Sequence, residues 1–412
     1  MNNKLSQIVK YSYENVPFYA KNIIYKDIDN FFQFDIIKKD DILTNRMDFL
    51  SMEHKKYYHE GRIKIKYTSG STGEATIVFW DEVDDALADL SAWKYRKLWY
   101  NISPFNRYLS FFSNIYFGNQ IEEKSENIYL KSNHLLCNKK MINEFEIFEF
   151  VKAFFDFQPE WILIQPSIFL LCSHLINKET FDKMLHTVKY IEFTGEYISF
   201  DYIEHLKKIY PHINFANMYG TTETGVIAIT CPYGHMHILQ NNIYVEILDK
   251  FGVPSNGEVG SVILTSLKNT AMPLIRYQIG DRAKFLDIKC PCGCDLQVIE
   301  LLAGRECDYI YCDGNKKPVY LLSSAVEKVN YEFNYPIYKV NFIQKKENLI
   351  EGNLFLKPEF ENWKESISTS LREELSREIG SNIEITFIFS KIPKNNKKDP
   401  FFVNLLADKE KI

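Results

Sequence analysis

Tyr67-Thr-Ser-Gly-Ser-Thr-Gly73 is the stretch on which the reading turns: a loop of hydroxyls and glycines between two alternating runs, Ile63 to Tyr67 and Thr76 to Trp80. Gly70 and Gly73 let the backbone turn tightly and aim N–H groups at an anion. Thr68, Ser69, Ser71 and Thr72 add hydroxyl donors, so the loop suits the oxygens of a triphosphate. No Gly-Lys-Ser/Thr follows, which excludes a Walker loop. Taken alone, the same composition also describes an ordinary hairpin turn, so the decision falls to what surrounds it.

From about residue 62 to 300, short apolar runs such as Trp161 to Ile164 and Val188 to Phe193 alternate with helical patterns, the signature of an α/β sheet system. Phe145 to Phe155 has helical spacing and leads through Gln158-Pro159-Glu160 into the strand-like Trp161 to Ile164. Residues 4 to 50 read as a helical, loop-rich start. Past Gly304-Arg305 the texture becomes a charged mixture, with an amphipathic helix at Trp363 to Glu378 and a strand at Ile383 to Phe389. The predicted division is 1–304 and 305–412, since 412 residues exceed what one hydrophobic core usually serves.

A net charge of -5 without a basic stripe excludes a nucleic-acid partner. No run of roughly 18 apolar residues and no signal-peptide core occurs, so a cytoplasmic protein without a membrane partner is expected. Three of the eight cysteines crowd into Cys290-Pro-Cys292-Gly-Cys294, which suits reduced thiols and one metal site better than a disulfide framework.

Downstream of the loop come Tyr219-Gly-Thr-Thr-Glu223, Ile275-Arg-Tyr-Gln-Ile-Gly-Asp281 and Gly304-Arg305. In this order and spacing the set resembles the adenylate-forming superfamily. Three further segments, Tyr13 to Tyr19, Phe34 to Asp41 and Thr265 to Tyr277, are similar to stretches of phenylacetate-CoA ligases, and the likeness runs from about Leu5 to Arg305. It implies a large N-terminal adenylate-forming domain of mixed sheets and helices, with a small α+β C-terminal domain joined by a hinge at Cys307, beside Asp308.

Carried over by resemblance, Thr68 to Gly73 hold the phosphates of ATP, and Gly195, Glu196, Tyr219, Gly220 and Thr221 frame the adenine side. Asp281 binds the ribose, with Arg305 as a second contact. Glu223 takes Mg²⁺ and, with Thr222 and a C-terminal lysine, makes up the catalytic set. That lysine is Lys398 or its neighbour Lys397, in a loop that lacks the family's usual glycine. Without the resemblance, Glu223 and Asp281 are acidic loop residues of the kind that form turns.

The implied reaction activates a carboxylic acid as its acyl-adenylate with release of pyrophosphate, then passes it to a thiol. Coenzyme A and the phosphopantetheine of an acyl or peptidyl carrier protein both remain open as acceptors, as does a homodimer. The acid pocket is expected between Gln165-Pro-Ser167 and Gly195, with the tract Tyr108 to Phe117; its aromatic residues suit a flat or apolar acid. Cys231, His235, His237, Cys290, Cys292 and Cys294 are candidate zinc ligands, four of which complete a structural site. Some members of the resembled family carry such a site, and the likeness selects Cys231, His237, Cys290 and Cys292. The rival to an enzyme is a degenerate, zinc-stabilised homologue serving as a binding or scaffold protein.

Overall fold

The alternation between residues 108 and 221 becomes five parallel strands in the computed structural model, which describes residues 3–22, 31–67, 76–112, 116–117, 120–121, 127–305, 309–380, 382–391 and 401–405. Across the sheet they run His134–Asn138, Tyr108–Phe112, Trp161–Ile164, Tyr190–Thr194, Asn214–Thr221. Helices Ile147–Phe157, Pro166–Leu175, Lys178–Leu185 and Phe200–Ile209 make the crossovers that follow Asn138, Ile164 and Thr194. Their ends follow from local chemistry. Pro166 opens one, Asn177 and Ser199 cap two more, and Gln158, left-handed at φ 51 and followed by Pro159, closes the first.

These strands are covered on both faces. Ile191 and Phe193 join the core under the crossover helices, while Tyr190 packs on the other side beneath helix Glu82–Tyr100. Glu192 shares the face of Tyr190 and is fully buried, so its charge needs a partner. Arg96 of that helix supplies it, donating from Nε at 2.8 Å and from Nη2 at 2.6 Å, and the Tyr190 hydroxyl donates at 2.6 Å.

Beyond Asn214–Thr221 the sheet continues through Gly225–Thr230, Met236–Ile238, Val298–Arg305, Tyr277–Leu286, Gly260–Ser266 and Ile243–Leu248, all antiparallel. This half curls on itself. Ile227, Ile238, Ile247, Leu264, Ala283 and Ile299 share one core, and Tyr219 bonds to Asp281 although three strands lie between theirs in sheet order.

The three segments with the narrower likeness meet in space. The Tyr19 hydroxyl donates to Pro273 O at 2.9 Å and accepts from Ile275 N at 2.9 Å. Phe34 O and Ile37 N both bond to Arg276. After Arg305 a separate four-stranded sheet forms in the order Glu384–Phe389, Leu349–Leu356, Ile337–Lys346, Phe402–Asn404. Helices Tyr320–Glu332 and Lys364–Ile379 pack into its core. The predicted helix at Trp363 to Glu378 and strand at Ile383 to Phe389 are these elements. Among the described residues no helix is long and apolar enough to cross a membrane.

Candidate active site and metal cluster

The five parallel strands end at one edge, and the residues just past their ends form the candidate site, the usual position in open α/β sheets. Gly195 follows Thr194 with φ +77, and a Cβ there would lie 3.2 Å from Gln165 Nε2. Glycine is therefore suited to that turn, where a side chain would press on Gln165. Glu196 accepts from Ser167 N at 3.0 Å and Ser167 Oγ at 2.8 Å, fixing the first turn of helix Pro166–Leu175.

On the neighbouring strand, Thr221 leads into the turn of Thr222 and Glu223. Thr221 Oγ1 accepts from Thr224 N at 3.1 Å, the Trp80 indole donates to Thr222 O at 3.1 Å, and the Tyr277 hydroxyl donates to Glu223 Oε1 at 3.3 Å. Gly220 packs close to the next strand, where a Cβ would meet Gly225 O at 3.0 Å. Asp281 accepts from the Tyr219 hydroxyl at 2.8 Å and pairs through its backbone with Arg305. Gly195, Glu196, Tyr219 to Glu223 and Asp281 thus share one edge. The loop Thr68 to Gly73, the hinge position Cys307 with Asp308, and Lys397 and Lys398 lie outside the described residues.

Cys231, His237, Cys290 and Cys292 bring one ligand atom each to within 4.8 Å of one another. Cys231 and Cys290 sulfurs are 3.7 Å apart, and Cys292 Sγ is 3.4 Å from His237 Nε2. A tetrahedral zinc has edges of about 3.8 Å between sulfurs and about 3.5 Å from sulfur to nitrogen, so the spacing fits that ion; a disulfide is far shorter. His237 Nδ1 lies 3.0 Å from Leu296 O, which directs its proton there and leaves Nε2 for the cluster. Burial pushes the Cys231 thiol up to about 12, raises that of Cys292 and lowers His237. A divalent cation would supply the charge that burial withholds from the thiolates. His235 stands beside the four, its Nδ1 3.1 Å from Cys290 Sγ.

No family model matches the chain, and no curated protein matches it in sequence. In three dimensions the chain matches a 2-hydroxyisobutyryl-CoA ligase in its postadenylation state, 15% identical, with a TM-score of 0.73 over 99% of this chain and 90% of that one. The chain has the fold of adenylate-forming enzymes. Against the same ligase in its thioesterification state the TM-score is 0.58 at the same identity and coverage. An acyl acid amido synthetase, 12% identical, gives 0.61 over 99% of this chain and 93% of that one.

Within this adenylate-forming fold, three side chains at the edge escaped the motif reading. Trp80 ties the hairpin that carries the loop to the Thr222 turn; its run was legible only as a strand. Tyr277 stands inside a motif that gives it no role, and Ser167, expected beside the acid pocket, also anchors Glu196. In the tract Tyr108 to Phe117, the described rings near its start pack against neighbouring elements. Tyr108 stacks between His134 and Trp161 at 4.0 and 4.8 Å, Leu109 is buried, and Phe111 packs on Phe150. Those rings build core, because a parallel strand covered on both faces must bury its apolar residues.

Proposed function

We propose that the chain is an AMP-forming acid–thiol ligase of the phenylacetate-CoA ligase type. The observation that carries the reading is the gathering of Gly195, Tyr219, Thr222, Glu223 and Asp281 at one strand edge. In this reading Tyr219 offers a flat face to adenine, its hydroxyl held by Asp281, which also faces the ribose. Gly195 lets the backbone turn beside the nucleotide, and Glu196 orients the helix start next to it. Glu223 would hold Mg²⁺, a fit of hard cation to carboxylate oxygen, and that ion would offset charge on the triphosphate.

A carboxylate oxygen of the acid attacks the α-phosphorus, the bond to the bridging oxygen breaks and pyrophosphate leaves. A thiol sulfur then attacks the acyl carbon, loses its proton, and AMP leaves. Lys398, or Lys397, is assigned the cation at the first step. Residues 1–304 form the nucleotide- and acid-binding domain and 305–412 the mobile one. The acid is aromatic by resemblance, and the acceptor is coenzyme A or a carrier-protein phosphopantetheine. The Cys231, His237, Cys290, Cys292 site is structural. Gly225–Thr230 places it at the far end of a six-residue strand from the Glu223 turn, about 20 Å away at ~3.4 Å per residue.

The test is acid-dependent ATP–pyrophosphate exchange across a panel of aryl and aliphatic acids. Glu223→Ala and Asp281→Ala should each lower it at least about a hundredfold, since each removes a charge-assisted contact. Near-normal exchange in both variants overturns the reading.

A further inference from the structure

Tyr277 is 3% exposed, and its hydroxyl points out of the core to Glu223. The residue before it is held from many sides. Arg276 sits in the left-handed region at φ 54, which a long side chain seldom adopts. Its guanidinium donates to Glu246 from Nε at 3.2 Å and Nη2 at 3.1 Å, and from Nη1 to Phe34 O at 2.9 Å and Phe32 O at 3.1 Å. Its backbone N donates to Thr265 Oγ1 at 2.9 Å, and its carbonyl accepts from Ile37 N at 3.0 Å. A strained backbone that its surroundings over-determine is a device for aiming the next side chain. Arg276 itself, 7% exposed and bonded along its whole fork, has its charge answered by Glu246 rather than by a phosphate.

We infer that Tyr277 is a positioning residue for Glu223. The carboxylate stands on a turn with three rotatable side-chain bonds. One donor fixed by the core selects the rotamer that presents it to a cation on the nucleotide. The inference rests on the reading of Glu223 as the magnesium ligand and adds the group that aims it.

The variant to make is Tyr277→Phe, which keeps the ring and removes the donor. Mn²⁺ is titrated onto the complex with α,β-methylene-ATP and followed by water-proton relaxation. The expected result is Mn²⁺ affinity about three- to tenfold weaker, the range for one net hydrogen bond, at an unchanged melting temperature. In exchange assays the half-saturating Mg²⁺ rises by the same factor, while the rate at saturating Mg²⁺ stays within about twofold. In a Glu223→Gln background, Tyr277→Phe should weaken Mn²⁺ no further, a non-additivity that general loosening would not give. Unchanged Mn²⁺ affinity in Tyr277→Phe, or equal losses in both backgrounds, overturns the inference while leaving Glu223 as ligand. Intact Mn²⁺ binding in Glu223→Gln alone overturns the assignment of Glu223, and this inference with it.

Discussion

At the scale of single residues, the pair Arg96 and Glu192 shows what burial demands. With side chains 6% and 0% exposed, neither charge has water to fall back on. Removing one partner leaves the other uncompensated, so Glu192→Leu should destabilise the chain by about 3–5 kcal/mol. Arg96→Met with Glu192→Leu should recover most of that loss, because both desolvation costs vanish together. Urea denaturation of the two variants decides it, and equal stabilities would show that the charges do not act as a pair. Val188 to Phe193 is legible as a short apolar run, and it is its burial in the sheet that makes Glu192 need a cation. Which cation was not legible, since the partner lies 96 residues away on a helix whose exposed face carries Lys94 and Lys97 as equal candidates. Gly195 and Tyr219 to Glu223 lie at or beside strand ends, where chain order alone lists what one sheet edge collects, whereas Asp281 reaches them from within strand Tyr277–Leu286 through its bond to Tyr219.

At the scale of elements, alternation was enough for the parallel half of the sheet and insufficient for the curled half. Helix Ile147–Phe157 followed by strand Trp161–Ile164 could be read from spacing and Pro159. Strand Met236–Ile238 has three residues, too few to show a period, yet it joins Gly225–Thr230 to Val298–Arg305 and so brings Cys231 and His237 to the Cys290 loop. That loop and the turn after Thr230 have little core of their own, so a tetrahedral ion would act as their shared packing. Cys290→Ser with Cys292→Ser should therefore lose about one zinc per chain by elemental analysis and lower the melting temperature, whereas Cys294→Ser should change neither. A metal-free wild type with the same melting temperature as the double variant overturns the zinc reading.

At the scale of the molecule, the sheet after Arg305 touches the rest through a strained turn. Asn334 and Tyr335 both take left-handed backbone, φ 59 and 61, which is costly for tyrosine. That turn sets the Tyr335 ring 4.2 Å from His205 and 5.3 Å from Tyr202, while Tyr338 lies 5.9 Å from His174. The contacted helices, Pro166–Leu175 and Phe200–Ile209, lead away from the edge that bears Glu196. Under the proposed function, this contact is assigned to the arrangement of the first half-reaction. In a ligase that works through two arrangements, loosening it should handicap one half-reaction. Tyr335→Asn suits the test, because asparagine accepts the left-handed backbone and removes only the ring. Acid-dependent pyrophosphate exchange should fall about three- to tenfold, the range for an aromatic contact. Transfer of a preformed acyl-adenylate to a thiol should hold or rise, because the competing arrangement is then easier to reach. Equal losses in both half-reactions would show that the Tyr335 contact serves stability alone.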